Sequence, residues 1–199
     1  MPKEKSIFSV GDGVVHCTHG AGVITEKKEM QITGTPKSYI VLQMLGSCST
    51  LMVPTDRAEQ RLRPVCKKAT LRRLLTSELT DDPEELPQDY KKRTKHIEDR
   101  LKSGETEEWI GVVRDLTYKG EQKPLSQGDR QLLDRAEDLL SGELALAQGI
   151  PPQEALLRLK SMLQRRCELA DSQAMISSWW RTLGQKVREP LGKSSIGTS

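Results

Sequence analysis

The hydrophobic pattern changes period near Lys67, and this restricts the chain to a β-rich front and a helical back. Ahead of that point, Ile7-Phe8-Ser9-Val10, Val14-Val15-His16 and Gly22-Val23-Ile24-Thr25 are short apolar and β-branched runs separated by Gly and Asp. Gly11-Asp12-Gly13 and His19-Gly20-Ala21-Gly22 supply residues that tolerate positive φ at tight reversals. Thr33-Gly34-Thr35-Pro36 reads as a further turn, between Glu29-Met30-Gln31-Ile32 and the run from Ser38 to Met44. A last strand, Ser49 to Pro54, follows the turn at Leu45-Gly46-Ser47. About five short strands in so little chain predict a small, strongly bent sheet or partial barrel.

Beyond Lys67, Leu71, Leu74, Leu75 and Leu79 mark one face of a helix that Thr80-Asp81-Asp82-Pro83 ends. Glu84 to Pro87 is an acidic, Pro-bounded loop. A helix is expected from near Pro87 to Ser103, with Gly104 as its C′ residue. Trp109, Val112, Val113 and Leu116 follow at i, i+3, i+4 and i+7, which makes Trp109 a core residue. Ser126 followed by Asp129 resembles an N-terminal capping pair. It opens a helix whose buried face carries Leu132, Leu133, Ala136, Leu139, Leu140 and Leu144. Four such helices suffice for a compact bundle. After Gly149-Ile150-Pro151-Pro152, Ala155, Leu156, Leu159, Met162 and Leu163 predict another amphipathic helix, and Ile176, Trp179, Trp180 and Leu183 a short one. Leu191 to Ser199 is Gly/Ser-rich and expected to be disordered. The fold class is α+β, with a β domain over 1–66, a helical domain over 67–147 and a helical extension over 148–199.

Composition agrees with small modules. Only 35% of the 199 residues are hydrophobic and 4% aromatic, with one Phe, which is too lean for one large core. Charged residues make up 30%, yet the net charge is +3, so a nucleic-acid signal has to come from local clustering. Cys17, Cys48, Cys66 and Cys167 lack paired spacing, no apolar run is long enough to span a bilayer, and the N-terminus lacks a signal-peptide pattern. Reduced thiols and a cytoplasmic location, without membrane association, are the resulting expectations.

The chemistry-bearing clusters are few. His16-Cys17-Thr18-His19 is the one crowded group of metal-ligand types, but a structural zinc site needs two spaced pairs. Adjacent strand residues also point to opposite faces. No nucleophile-elbow, phosphate-loop or zinc-protease motif occurs, so no enzyme activity, metal or cofactor is expected. Glu84/Glu85 and Asp81/Asp82 read as solvated loop carboxylates. Lys91-Lys92-Arg93-Thr94-Lys95 is more informative. Four of these five residues are basic, Tyr90 precedes them, and the run opens a helix, where the macrodipole disfavours cations. A charge run is most simply a solvated face. An aromatic beside it also fits backbone-plus-wedge DNA recognition, in which cations neutralise phosphates and a flat side chain enters a distorted step. Trp179 and Trp180 cannot both face one core, so one of them is open to a partner or to self-association.

The ordered set Phe8-Ser9-Val10-Gly11-Asp12-Gly13-Val14-Val15, His19-Gly20-Ala21-Gly22-Val23-Ile24, Ile32-x-Gly34 and Met52-Val53-Pro54 resembles the N-terminal module of the CarD/CdnL family of bacterial transcription regulators. Leu101-Lys102-Ser103-Gly104, Val112-Val113-Arg114-Asp115-Leu116, Leu125-Ser126 and Gly142 to Ala147 resemble its C-terminal domain, so the likeness spans residues 6–147. The resemblance implies a Tudor/SH3-like domain docking on the RNA polymerase β-subunit lobe. It also implies a helical domain on promoter DNA near the upstream edge of the −10 element, modulating open-complex stability in the nucleoid. Tyr90 falls at the family's wedge position, usually Trp, and Lys92, Arg93 and Lys95 at its phosphate contacts; Lys91 completes the set. Met30 and Met52 stand where some members carry polymerase-binding arginines, with Ile32, Val53 and Pro54 beside them. His16 and Cys17 stand where Tyr and Pro are common. The residue reading alone leaves a second possibility, a protein–protein adaptor on polymerase or a repair translocase without direct DNA contact.

Overall fold

The computed structural model describes residues 7–31, 36–46 and 49–165. Five antiparallel strands form one sheet in the order β4-β3-β2-β1-β5. They are β1 (Gly13–His16), β2 (Gly20–Gln31), β3 (Pro36–Met44), β4 (Thr50–Pro54) and β5 (Leu62–Pro64). A 3-10 turn (Thr55–Arg57) and a short helix α1 (Ala58–Arg61) carry the chain from one edge strand to the other. One sheet face encloses Phe8, Val14, Ile24, Ile40, Leu42, Met44, Val53, Ala58 and Leu62, so the bent sheet wraps its own small core. A bulge at Thr25 shifts the β2–β3 register between Ile24 and Glu26 and adds local twist. Gly22 is required there, because a Cβ would sit 2.9 Å from the Gln43 carbonyl oxygen.

The sequence reading differs from the structure at three places in this module, the first being that Gly22 to Thr25 and Glu29 to Gln31 lie on the one continuous strand β2. Ile7 to Val10 forms no strand: the Asp12 carboxylate accepts from Ser9 N–H at 2.7 Å and turns the backbone, leaving only Phe8 buried. Strand β5 lies beyond the last strand that the hydrophobic pattern predicts. It has three residues and pairs with β1 through Val14↔Pro64, Val15↔Arg63 and His16↔Leu62.

Helices α2 (Lys68–Thr80), α3 (Tyr90–Ser103), α4 (Thr106–Gln122) and α5 (Gln127–Gln148) follow. Helix α3 begins three residues after Pro87, because Asp89 is the N-cap and accepts from Lys92 N–H at 2.9 Å. Gly104 ends it in the left-handed region at φ 78° and lies tight against Cys17. Trp109 is fully buried and donates its indole N–H to the Leu101 carbonyl at 3.0 Å. Ser126 caps α5, accepting from Asp129 N–H at 3.2 Å. Residues 152–165 are helical, with Ala155 and Leu159 buried. Trp179 and Trp180 lie outside the described residues, as do Ile32, Cys48 and Cys167.

The described residues up to Ser161 form one compact unit. The sheet and helices α2–α5 therefore belong together, and the contacts between them show why. Helix α5 lies on β2 so closely that a Cβ at Gly142 would be 3.3 Å from that of Ala21. Arg63 on β5 forms a bidentate pair with the fully buried Glu143 of α5, at 2.6 and 2.8 Å. The same carboxylate accepts from the Thr106 hydroxyl at 3.1 Å and from Cys66 N–H at 3.0 Å. Arg63 also donates to the Gly104 carbonyl at 2.7 Å and lies 5.3 Å above the Trp109 ring. One carboxylate thus joins the last strand to the segments that open α2 and α4.

Candidate functional site

The basic run divides according to the helical period. Arg93 is four residues before Ile97 and eight before Leu101, so it shares their inward face, and all three are buried. Its guanidinium pairs with Asp129 at 3.0 and 3.2 Å and donates to the Pro87 and Gln88 carbonyls at 2.9 and 3.0 Å. This corrects its assignment as a phosphate contact: Arg93 clasps the loop before α3 to the start of α5. Lys119 also reaches Asp129. Burial alone would raise the Asp129 pKa, but hydrogen bonds from Arg93, Lys119 and Ser126 outweigh it and hold the carboxyl below its ordinary value.

Lys91, Lys92 and Lys95 are exposed, spaced i, i+1 and i+4 on one side of α3. Tyr90, the first residue of the helix, is half exposed. Its covered part faces Gly128 near the start of α5 and the Arg93 guanidinium, whose carbon lies 5.8 Å from the ring centroid. The structure therefore brings Tyr90 and three lysines together at a capped helix end and removes Arg93 from the surface.

The predicted polymerase residues also divide. Strand register places Met30, Tyr39, Val41, Met52 and Pro54 on the sheet face opposite the core cluster. That face is covered by α5 at Ala21, whereas Met52, on edge strand β4, is 46% exposed at its other side. Met30 and Pro54 are half-buried. Val53 points to the other face, is 4% exposed and belongs to the core, so it is not a contact residue.

The remaining candidates have structural partners. His16 is buried, and its Nδ1 accepts from Thr18 and His19 N–H at 3.1 and 3.3 Å. Burial, with nearby His19 and Arg61, pushes its pKa down to about 4, so it is a neutral acceptor that shapes the β1–β2 turn. Burial and Glu143 push the Cys66 thiol up, away from thiolate chemistry. Among the described residues, no group of three His, Cys, Asp or Glu side chains is placed to hold a metal ion. Glu84 is not simply solvated: it reaches Arg100 at 3.2 Å, and Arg100 also binds Glu108 and the buried Asp115 at 2.6 and 2.8 Å. None of the described helices is long and apolar enough to cross a membrane.

The bent sheet locked to the helices presents two separate exposed features, Met52 on the edge strand β4 and the basic start of α3. Residues 8–66 match the CarD-like/TRCF RID domain and residues 74–160 the CarD C-terminal domain. A Bacillus subtilis (strain 168) protein described as "Putative transcription factor YdeB" is 32% identical over 145 residues, which cover 72% of this chain and 94% of that protein. The chain belongs to the CarD/CdnL family and has a transcription-related, RNA polymerase-interacting role. The family match reaches residue 160, so the start of the helix after Pro151-Pro152 lies inside it, beyond the limit of 147 read from the sequence.

Proposed function

We propose that the protein bridges the RNA polymerase β-subunit lobe and promoter DNA near the upstream edge of the −10 element, and so stabilises the open complex. The observation that carries this reading is the end of α3, where Tyr90 and Lys91, Lys92 and Lys95 are exposed together although the macrodipole there disfavours cations. The lysines would neutralise phosphates, and the Tyr90 ring would wedge at a distorted base step. Tyr is smaller than the family's usual Trp, so its wedge is weaker, and its hydroxyl can bond a base edge or sugar. Met52, with Met30 and Pro54, would form an adaptable apolar contact on the polymerase side. With both contacts made, the protein resides in the cytoplasm at the nucleoid. No bond chemistry is involved. A helix end that binds partly opened duplex better than closed duplex shifts the equilibrium by that difference in affinity, and equal affinities would shift nothing.

Replacing Lys91, Lys92 and Lys95 together by Gln tests the DNA contact. Binding to duplex should weaken almost uniformly across sequences, and the slope of log affinity against log salt should become shallower by about 2–3. Fluorescence anisotropy across a salt series measures this, and an unchanged slope would remove the lysines from the interface.

A further inference from the structure

We infer that Gly128, with the Arg93–Asp129 pair, is a positioning device for Tyr90, holding its ring in one orientation before any DNA arrives. This rests on Tyr90 being the DNA-contacting aromatic. It adds residues that never touch DNA.

Gly128 is the second residue of α5, where its backbone has no need of glycine. The described glycines with positive φ are Gly11, Gly20, Gly104 and Gly149, and Gly128 is not among them. Helical torsions are open to Ala as well as to Gly, and fixing them costs Gly more backbone entropy. The space around it supplies the reason. The three atoms nearest to a Cβ built at Gly128 all belong to Tyr90: such a Cβ would overlap the hydroxyl and come within 3.2 Å of Cε2 and Cζ. The tip of the Tyr90 ring thus occupies the place of the missing methyl group.

The second contact comes from the ring's own helix. The Arg93 guanidinium lies 5.8 Å from the ring centroid, within cation–π range. Arg93 cannot drift, because Asp129, adjacent to Gly128, holds two of its nitrogens and the Pro87 and Gln88 carbonyls hold a third. Two neighbouring residues of α5 therefore govern one aromatic on α3, Gly128 directly and Asp129 through Arg93. Half of the Tyr90 surface remains exposed, which leaves that part of the ring available to a partner. Orienting a side chain in advance lowers the ordering cost at binding and raises affinity without a new contact.

Gly128→Ala isolates the device. The clashing atom is the far end of a movable side chain, so the helix should keep or raise its thermal stability while the ring swings away. The full-length protein is assayed for its preference for a duplex with a preformed bubble over the same duplex fully paired. Tyr90→Ala should lower that preference roughly 5–150-fold, the range of a lost base–aromatic stack. Gly128→Ala should lower it at least about threefold with the salt slope unchanged, since the lysines are untouched. The Gly128→Ala effect should shrink when it is measured in a Tyr90→Phe background, where the overlapping hydroxyl is gone. In the free protein, the fluorine resonance of fluorotyrosine at position 90 should shift on Gly128→Ala. A Tyr90→Ala loss with no Gly128→Ala loss, or an unmoved resonance, overturns the positioning role alone. No effect of Tyr90→Ala overturns the DNA reading of Tyr90 itself.

Discussion

Replacing Asp129 by Ala should cost about 3–5 kcal/mol of folding stability, the usual penalty for breaking a buried ion pair from one side. Asp129 is fully buried and the Arg93 side chain is 9% exposed, so the guanidinium left behind has no route to water without disordering the loop before α3. Lys119 loses its carboxylate in the same step. Against a typical total of about 5–15 kcal/mol, this is a large fraction. The comparison with its neighbours is the informative part. Lys91→Ala, Lys92→Ala and Lys95→Ala each lie on the surface and should move stability by no more than about 0.5 kcal/mol. Urea unfolding midpoints measure all four. Near-equal values across the set would contradict the division of the basic run into one clasp and three surface cations.

The second large effect is expected at Glu143. Glu143→Ala strands Arg63 and leaves the Thr106 hydroxyl and Cys66 N–H without this acceptor. A quarter of the Arg63 side chain reaches solvent, so the loss should fall somewhat below that at Asp129, at about 2–4 kcal/mol. Its form should also differ. Glu143 joins the sheet to the helices, so its removal weakens the coupling between them and should broaden or split the unfolding transition relative to that of the native protein. An Arg63→Met/Glu143→Leu double variant should recover much of the loss, because no charge is then left buried. Circular dichroism for the helices, followed alongside amide hydrogen exchange at the sheet residues Val14 and Ile40, tests both points. A Glu143→Ala transition as sharp as that of the native protein would remove the coupling role.

Much of this architecture was legible in the amino-acid order, because it rests on short-range chemistry. The change of period near Lys67, the Ser126 cap, the Gly104 terminator and the buried Trp109 all depend on residues within a turn or two of each other. The basic run shows the limit of reading residues as a string. Its helical spacing already placed Arg93 in line with Ile97 and Leu101, and that alignment was the available signal separating it from the lysines. Asp12 turning back on Ser9 was likewise local, but it competed with a β-branched run that favoured a strand. Other features had no sequence signature. Arg63 and Glu143 are 80 residues apart, and Gly128 meets Tyr90 only because two helices pack. Strand β5 is too short to alternate visibly, and it exists because β1 offers it a partner edge.

The most direct test of the bridging claim is the lifetime of a promoter open complex formed by RNA polymerase with the native full-length protein. It is compared with Tyr90→Ala and with Lys91, Lys92 and Lys95 all changed to Glu, after polymerase binding by each variant has been verified. The native protein should lengthen the lifetime, and both variants should bind polymerase yet lose that lengthening. Lifetimes in both variants equal to that with the native protein would contradict a bridge built on the end of α3.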